Sequence, residues 1–293
     1  LINEMDVQEK DIIKKIASLN HKMRQHAFDM ALGVGGKGAH LGGGLSIMEI
    51  MAALYGAVMK HDPANPYWAE RDRFVLSKGH GVLAYYSALA ETGYFSTDEL
   101  KNFEIDGGPL GGHPVLDMSR GMEFSSGSLG MGLSFGLGIA LTSRTHNVPF
   151  NVYVLLGDGE CNEGSVWEAA MAASHYKLGN LIAIVDRNNL QYDGTNDKVM
   201  DLMDFKMKWQ SFGWEAVEAD GHNIPEIYHA LSNKKRSSDK PYVIIAHTIK
   251  GNGVSFMEHQ RDWHHNRLTQ AQYDQAVMEL KERYAKEEGD FSC

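Results

Sequence analysis

NVYVLLGDGECNEGSVWEAAMAASHYKLGNLIAIVDRNNLQYDG, residues 151–194, is the stretch that decides the fold. Val152 to Leu156 is a run of aliphatic and β-branched residues, the composition of a parallel strand buried on both faces, and it breaks at Gly157-Asp158-Gly159. Glu163 to Lys177 carries apolar residues at helical spacing, and Leu181 to Val185 is a second apolar run ending in Asp186-Arg187-Asn188-Asn189. Strand, helix and strand form one βαβ unit. Its two strands lie side by side with both polar tips at their carboxyl ends.

This geometry brings Asp158 and Asn188 together across thirty residues of chain. One supplies an anionic carboxylate oxygen, the other a neutral amide oxygen that does not repel a phosphate. Such a pair suits Mg²⁺, which takes one or two protein oxygens, keeps some water and fills its octahedron with phosphate oxygens. Gly159 is expected to let backbone N–H groups approach those phosphates, aided by the amino end of the following helix. The expectation is therefore a magnesium diphosphate cradle.

Outward from this unit the chain repeats the same grammar. Val7 to Leu32 is amphipathic and predicts a long helix, and the glycine-rich Gly33 to Ser46 predicts irregular backbone around His40. Ser46 is the expected cap of a helix over Ile47 to Met59. Phe74 to Leu76 reads as a strand, Ser77-Lys78-Gly79-His80 as a turn, and the residues from Gly81 as a helix, which places His80 where anions bind. A short capped helix is expected from Thr97 to Phe103, then a glycine-rich loop containing His113, then a Gly- and Ala-rich helix over Met131 to Ser143 that suits close packing. Further on, the pattern predicts helix 201–212, strand 214–217, a turn and N-cap at Asp220 to Asn223, helix 224–233, strand 242–248, a histidine-bearing loop, and helix 271–287. A loose tail is expected from about 288. The sum is one α/β domain over residues 1–293: a doubly wound parallel sheet with helices on both faces and ligand groups at the strands' carboxyl ends.

GDG followed by the distal NN resembles the thiamine diphosphate signature, and GDGECNEGSVWEAAMAASHYKLGNLIAIVDRNN resembles the transketolase family well beyond that motif. RFVLSKGH, GGHP, GSLG and the paired histidines of DWHHN extend the resemblance over most of the chain. It implies that His40 and His113 serve the substrate oxygens and proton transfers. It implies that His80 and His264, or less plausibly His265, face the cofactor diphosphate. Mg²⁺, replaceable by Ca²⁺ or Mn²⁺, would be held by Asp158, Asn188 and the carbonyl of Leu190. Gly127 and Leu129 would hold the aminopyrimidine through their backbone, with Ser128 where the family usually has Pro, and Gly157, Gly159 and Glu163 would line the cofactor. Glu163 and Glu168 match glutamates at the family's subunit interface. In DGHN, a structural role is expected for His222.

The resemblance extends only to the diphosphate-binding half of a transketolase, and the pyrimidine-binding domain is read as absent. The implied activity is transfer of a two-carbon ketol unit between sugars, active only with a separate C-terminal subunit, two copies of each assembling. Two other readings stay open: another thiamine diphosphate reaction, of the 1-deoxyxylulose-5-phosphate synthase or 2-oxo acid decarboxylating kind, and a non-catalytic cofactor-binding scaffold. The set of histidines favours ketol transfer over decarboxylation.

Composition is compatible with all three. The 293 residues, 43% apolar, suffice for a sizeable core, while the formal charge of −10 and lack of a long basic run argue against nucleic acid. KKR at 234–236 is read as a solvated helix end. No apolar stretch reaches membrane-spanning length, the first residues lack a signal-peptide core, and two cysteines give no disulfide framework. A cytoplasmic protein is expected.

Overall fold

The computed structural model describes residues 7–233 and 239–292. The first half of the chain forms α1 (Val7–Gly33), α2 (Leu41–Leu45), α3 (Met48–Ala53), β1 (Arg73–Leu76), α4 (Val82–Glu91) and α5 (Gly132–Thr145). The second half forms β2 (Val152–Gly157), α6 (Gly164–His175), β3 (Leu181–Arg187), α7 (Asn196–Val199), α8 (Phe205–Ser211), β4 (Glu215–Asp220), α9 (Ile224–Leu231), β5 (Tyr242–His247) and α10 (Gln270–Ser292). The five strands make one wholly parallel sheet in the order β1-β2-β3-β5-β4.

Side chains alternate across that sheet into two separate cores. Leu76, Leu155, Ile184 and Ile244 face α1, α3, α4, α9 and α10, whereas Val75, Val154, Val185 and Ile245 face α5, α6 and α8. A sheet covered on both faces explains why its strands read as unbroken apolar runs rather than alternating ones. Gly136 does what the small residues of α5 suggest: a Cβ there would collide with Val154 of β2.

Several local expectations need correction. The segment 33–46 is irregular only up to His40, since LGGGL after it forms α2 and is wholly buried. Its glycines serve close approach: a Cβ on Gly42 would sit 2.6 Å from the Trp263 carbonyl oxygen and 2.9 Å from Lys250 Cγ. Ser46 does not cap α3, because its hydroxyl donates to Gly43 O and to Asp186 instead, and Ile47 takes the cap position. The helix after Ile47 also leaves α geometry early, at a π turn over Leu54–Val58. Residues 201–204 precede α8 rather than belonging to it, as Asp204 is its N-cap, accepting from Met207 N. α10 continues to Ser292, through the residues read as a loose tail, and the Arg283–Glu287 pair spaced one turn apart favours that continuation. KKR at 234–236 and Cys293 lie outside the described residues. No helix among the described residues is long and apolar enough to cross a membrane.

Candidate active site

The carboxyl ends of β1, β2 and β3 meet in a cavity of about 340 Å³. Gly157 pairs with Asp186, so the two strand tips are neighbours, as the βαβ reading requires. Asp158 is 2% exposed and accepts from Gly159 N at 2.8 Å and Asn189 N at 2.6 Å. Burial, reinforced by the charge of Asp186, pushes its carboxyl up to about 6. A buried carboxylate held that high lacks a sufficient positive partner among the described residues. Asn189 reaches Asp158 by adopting a left-handed backbone (φ 61°), a conformation that asparagine tolerates better than most residues. This accounts for the second Asn of the NN pair.

Asn188 is fixed at both ends. Its Nδ2 donates to Asp186 at 2.8 Å, and its Oδ1 accepts from Leu190 N at 3.0 Å. The Leu190 carbonyl accepts from the ammonium of Lys250 at 2.8 Å. An oxygen that already attracts a cation, beside a buried carboxylate and a carboxamide oxygen, forms a hard donor set that fits Mg²⁺.

The N–H groups of both GDG glycines are bonded within the chain. Gly159 N bonds Asp158, and Gly157 N donates to Glu160 at 3.0 Å. Glu160 is 3% exposed and also accepts from Ser77 and from Gly130 N, so it ties the tips of β1 and β2 to the GSLG loop. Buried backbone donors need such partners. Lys250, held down to about 8 by burial and by the charge of Lys78, lines the cavity with Lys78, His80 and His264. Lys78 is itself buried and paired with Asp186, which also accepts from Ser46 and Thr248.

Five histidines gather at the cavity edge. His40 stands 5.8 Å from His80, 5.6 Å from His113 and from His264, and 4.5 Å from His265, between ring centres. Burial, helped by neighbouring charges, pushes His40 down to about 3 and His264 to about 4, and drives His80 well below its usual range. These rings are neutral at pH 7, able to accept a proton or donate a hydrogen bond. His264 contacts Lys250 through Nδ1 at 3.1 Å and lines the cavity, whereas His265 lies nearer His40.

Leu129, Gly157, Gly159 and Glu163 also line the cavity. Gly127 does not: it stands on an exposed loop, while its neighbour Ser126 packs against Gly79. Glu163 and Glu168 are both exposed on or before α6. Sequence reasoning missed Lys78, Glu160, Asp186 and Lys250. Two of them, Glu160 and Asp186, carry a visible signal, a charged residue directly adjoining the GDG turn or an apolar strand run.

A family model described as the thiamine diphosphate-binding domain of transketolase matches residues 18–292. The chain is 44% identical over 253 residues to a Phocaeicola vulgatus protein named as one subunit of apulose-4-phosphate transketolase, covering 85% of this chain and 89% of that protein. It is likewise 44% identical over 254 residues to a 6-deoxy-6-sulfo-D-fructose transketolase subunit of a Clostridium species, covering 87% and 91%. The crystal structure of Campylobacter jejuni transketolase superposes with a TM-score of 0.83 at 30% identity, over 96% of this chain but only 43% of that longer one.

Proposed function

The chain belongs to the transketolase family, as its thiamine diphosphate-binding domain, and from that premise we propose that it is the diphosphate-binding subunit of a split, thiamine diphosphate-dependent transketolase. The reaction is transfer of a two-carbon ketol unit from a ketose phosphate, or a related anionic sugar, to an aldose acceptor. The observation that carries this reading is the meeting of Asp158, Asn188 and the Leu190 carbonyl beside a cluster of neutral histidines. Support for a split enzyme comes from coverage, which is about nine-tenths of the relatives named as subunits but 43% of the single-chain Campylobacter enzyme.

Bound thiamine diphosphate would supply a nucleophilic carbon and an electron sink. The chain's own residues do the rest. Asp158, Asn188 and Leu190 O would hold Mg²⁺; Lys250, His80 and His264 would neutralise or bond the diphosphate oxygens. His40 and His113, kept neutral by burial, would orient the sugar oxygens and move protons at them. Gly127 and Leu129 would meet the aminopyrimidine from the exposed loop.

A partner chain carrying the pyrimidine-binding domain would complete the site. Leu129, Met131 and Phe135 are 40%, 49% and 39% exposed, and Leu129 is at the cavity itself, which supports a covering surface from outside the chain. Two copies of each subunit, with Glu163 and Glu168 near their junction, and a cytoplasmic setting complete the proposal. The test is reconstitution with Mg²⁺, thiamine diphosphate and a separately produced pyrimidine-binding chain. Ketol transfer by the pair and none by either chain alone is expected; full activity of this chain by itself, or turnover unchanged by His40→Ala and His113→Ala in the pair, would overturn it.

A further inference from the structure

Lys250 owes its place to a buried network outside the cavity. The loop after β5 is anchored on both sides of it: Thr248 Oγ1 donates to Asp186, Ile249 N to His222 Nε2 at 2.8 Å, Gly251 N to Gly42 O at 3.1 Å, and Asn252 accepts from Arg24. Lys250 is the one residue of this run whose side chain reaches the cavity. His222 comes from the turn before α9, far from the GDG tip in sequence. Because a backbone N–H can only donate, His222 Nε2 must be the unprotonated nitrogen, and its Nδ1–H then donates to Glu49 Oε2 at 3.1 Å. Glu49 is wholly buried, and its other oxygen accepts from Arg24 at 2.7 Å and Arg283 at 2.9 Å. Burial alone would raise its carboxyl, but Arg24 and the His222 bond hold it well below the usual range.

We infer that His222 is a positioning residue: with its tautomer fixed by Glu49, it holds the Ile249 amide and so places the Lys250 ammonium against the diphosphate site. This rests on the diphosphate-binding reading above. The network gives a histidine in a surface-type turn a task at the cofactor, through one backbone bond.

Two substitutions separate the nitrogens. His222→Gln sets an amide oxygen where Nε2 lies and keeps the acceptor for Ile249. His222→Asn reaches only the Nδ1 position and keeps the donor to Glu49. The affinity for thiamine diphosphate of this chain paired with the pyrimidine-binding chain, in saturating Mg²⁺, is measured by calorimetry, with thermal unfolding of the pair followed in parallel. His222→Asn is expected to bind about tenfold more weakly and His222→Gln within about threefold of the parent, the range typical of residues that orient ligating groups. In a Lys250→Met background the Asn effect should vanish, because His222 acts through Lys250. Equal losses in Asn and Gln, or the same loss in the Lys250→Met background, would overturn the inference and leave His222 a stabilising residue only. A parent pair that binds no thiamine diphosphate refutes the functional reading instead; Mg²⁺ with inorganic pyrophosphate then reads the same variants, and binding of neither overturns both.

Discussion

Asp186→Asn tests whether the site is built on a buried ion pair. Asp186 and Lys78 are both essentially inaccessible, and Asp186 also accepts from Ser46 at 2.7 Å, Asn188 at 2.8 Å and Thr248. The amide can keep most of these bonds, since the Thr248 hydroxyl can turn to accept from it. What it removes is the charge opposite Lys78. Leaving one partner of a buried pair alone costs about 3–5 kcal/mol. Urea unfolding should therefore show a loss of about 3–5 kcal/mol at pH 7, or roughly 6–20 °C in melting temperature for a chain of this size. Lys78→Met combined with Asp186→Leu should be less damaging than either change alone. A loss under about 1 kcal/mol at pH 7, or a double variant as damaged as the worse single one, would refute the reasoning.

Other consequences follow from the same contacts. Gly42→Ala forces a methyl against Trp263 O and Lys250 Cγ, so it should cost about 1–3 kcal/mol and weaken thiamine diphosphate binding. Gly164→Ala, where a Cβ meets nothing within 4 Å, should do neither in the same melts and titrations. Acidification should destabilise the chain through His40 and His264: their pKa values fall to about 3 and about 4 on folding. The unfolded chain therefore binds more protons at pH values from there up to about 6.5, and the stability they contribute is lost as pH falls through that window. Replacing both with Gln should flatten the stability profile between about pH 4 and 6.5, as urea midpoints would record.

The parallel sheet was legible because strands covered on both faces leave continuous apolar runs, and Val152 to Leu156 and Leu181 to Val185 sit where those runs predict. The pairing of the Asp158 and Asn188 tips followed from parallel topology alone. The helix LGGGL within 33–46 was not legible because glycine content signals irregular backbone in an isolated chain, whereas here Gly42 is required by the backbone of Trp263 and the side chain of Lys250. Nothing local shows that Asp158 and Glu160 accept from the Gly159 and Gly157 N–H groups. The roles of Lys78, Asp186 and Lys250 depend on partners 60 to 108 residues away, which no local pattern encodes. His40, His80, His113 and His264 were singled out through the family resemblance. Their convergence belongs to the fold, which brings together the start of α2, the β1 tip and two loops.

The most direct measurement is a crystal structure of the chain with Mg²⁺ and thiamine diphosphate. The account predicts an ion at about 2.1 Å from an oxygen of Asp158, from Asn188 Oδ1 and from Leu190 O. The Lys250 ammonium should have left that carbonyl for a phosphate oxygen. An ion bound elsewhere, or a diphosphate that touches neither Asp158 nor Lys250, would contradict it.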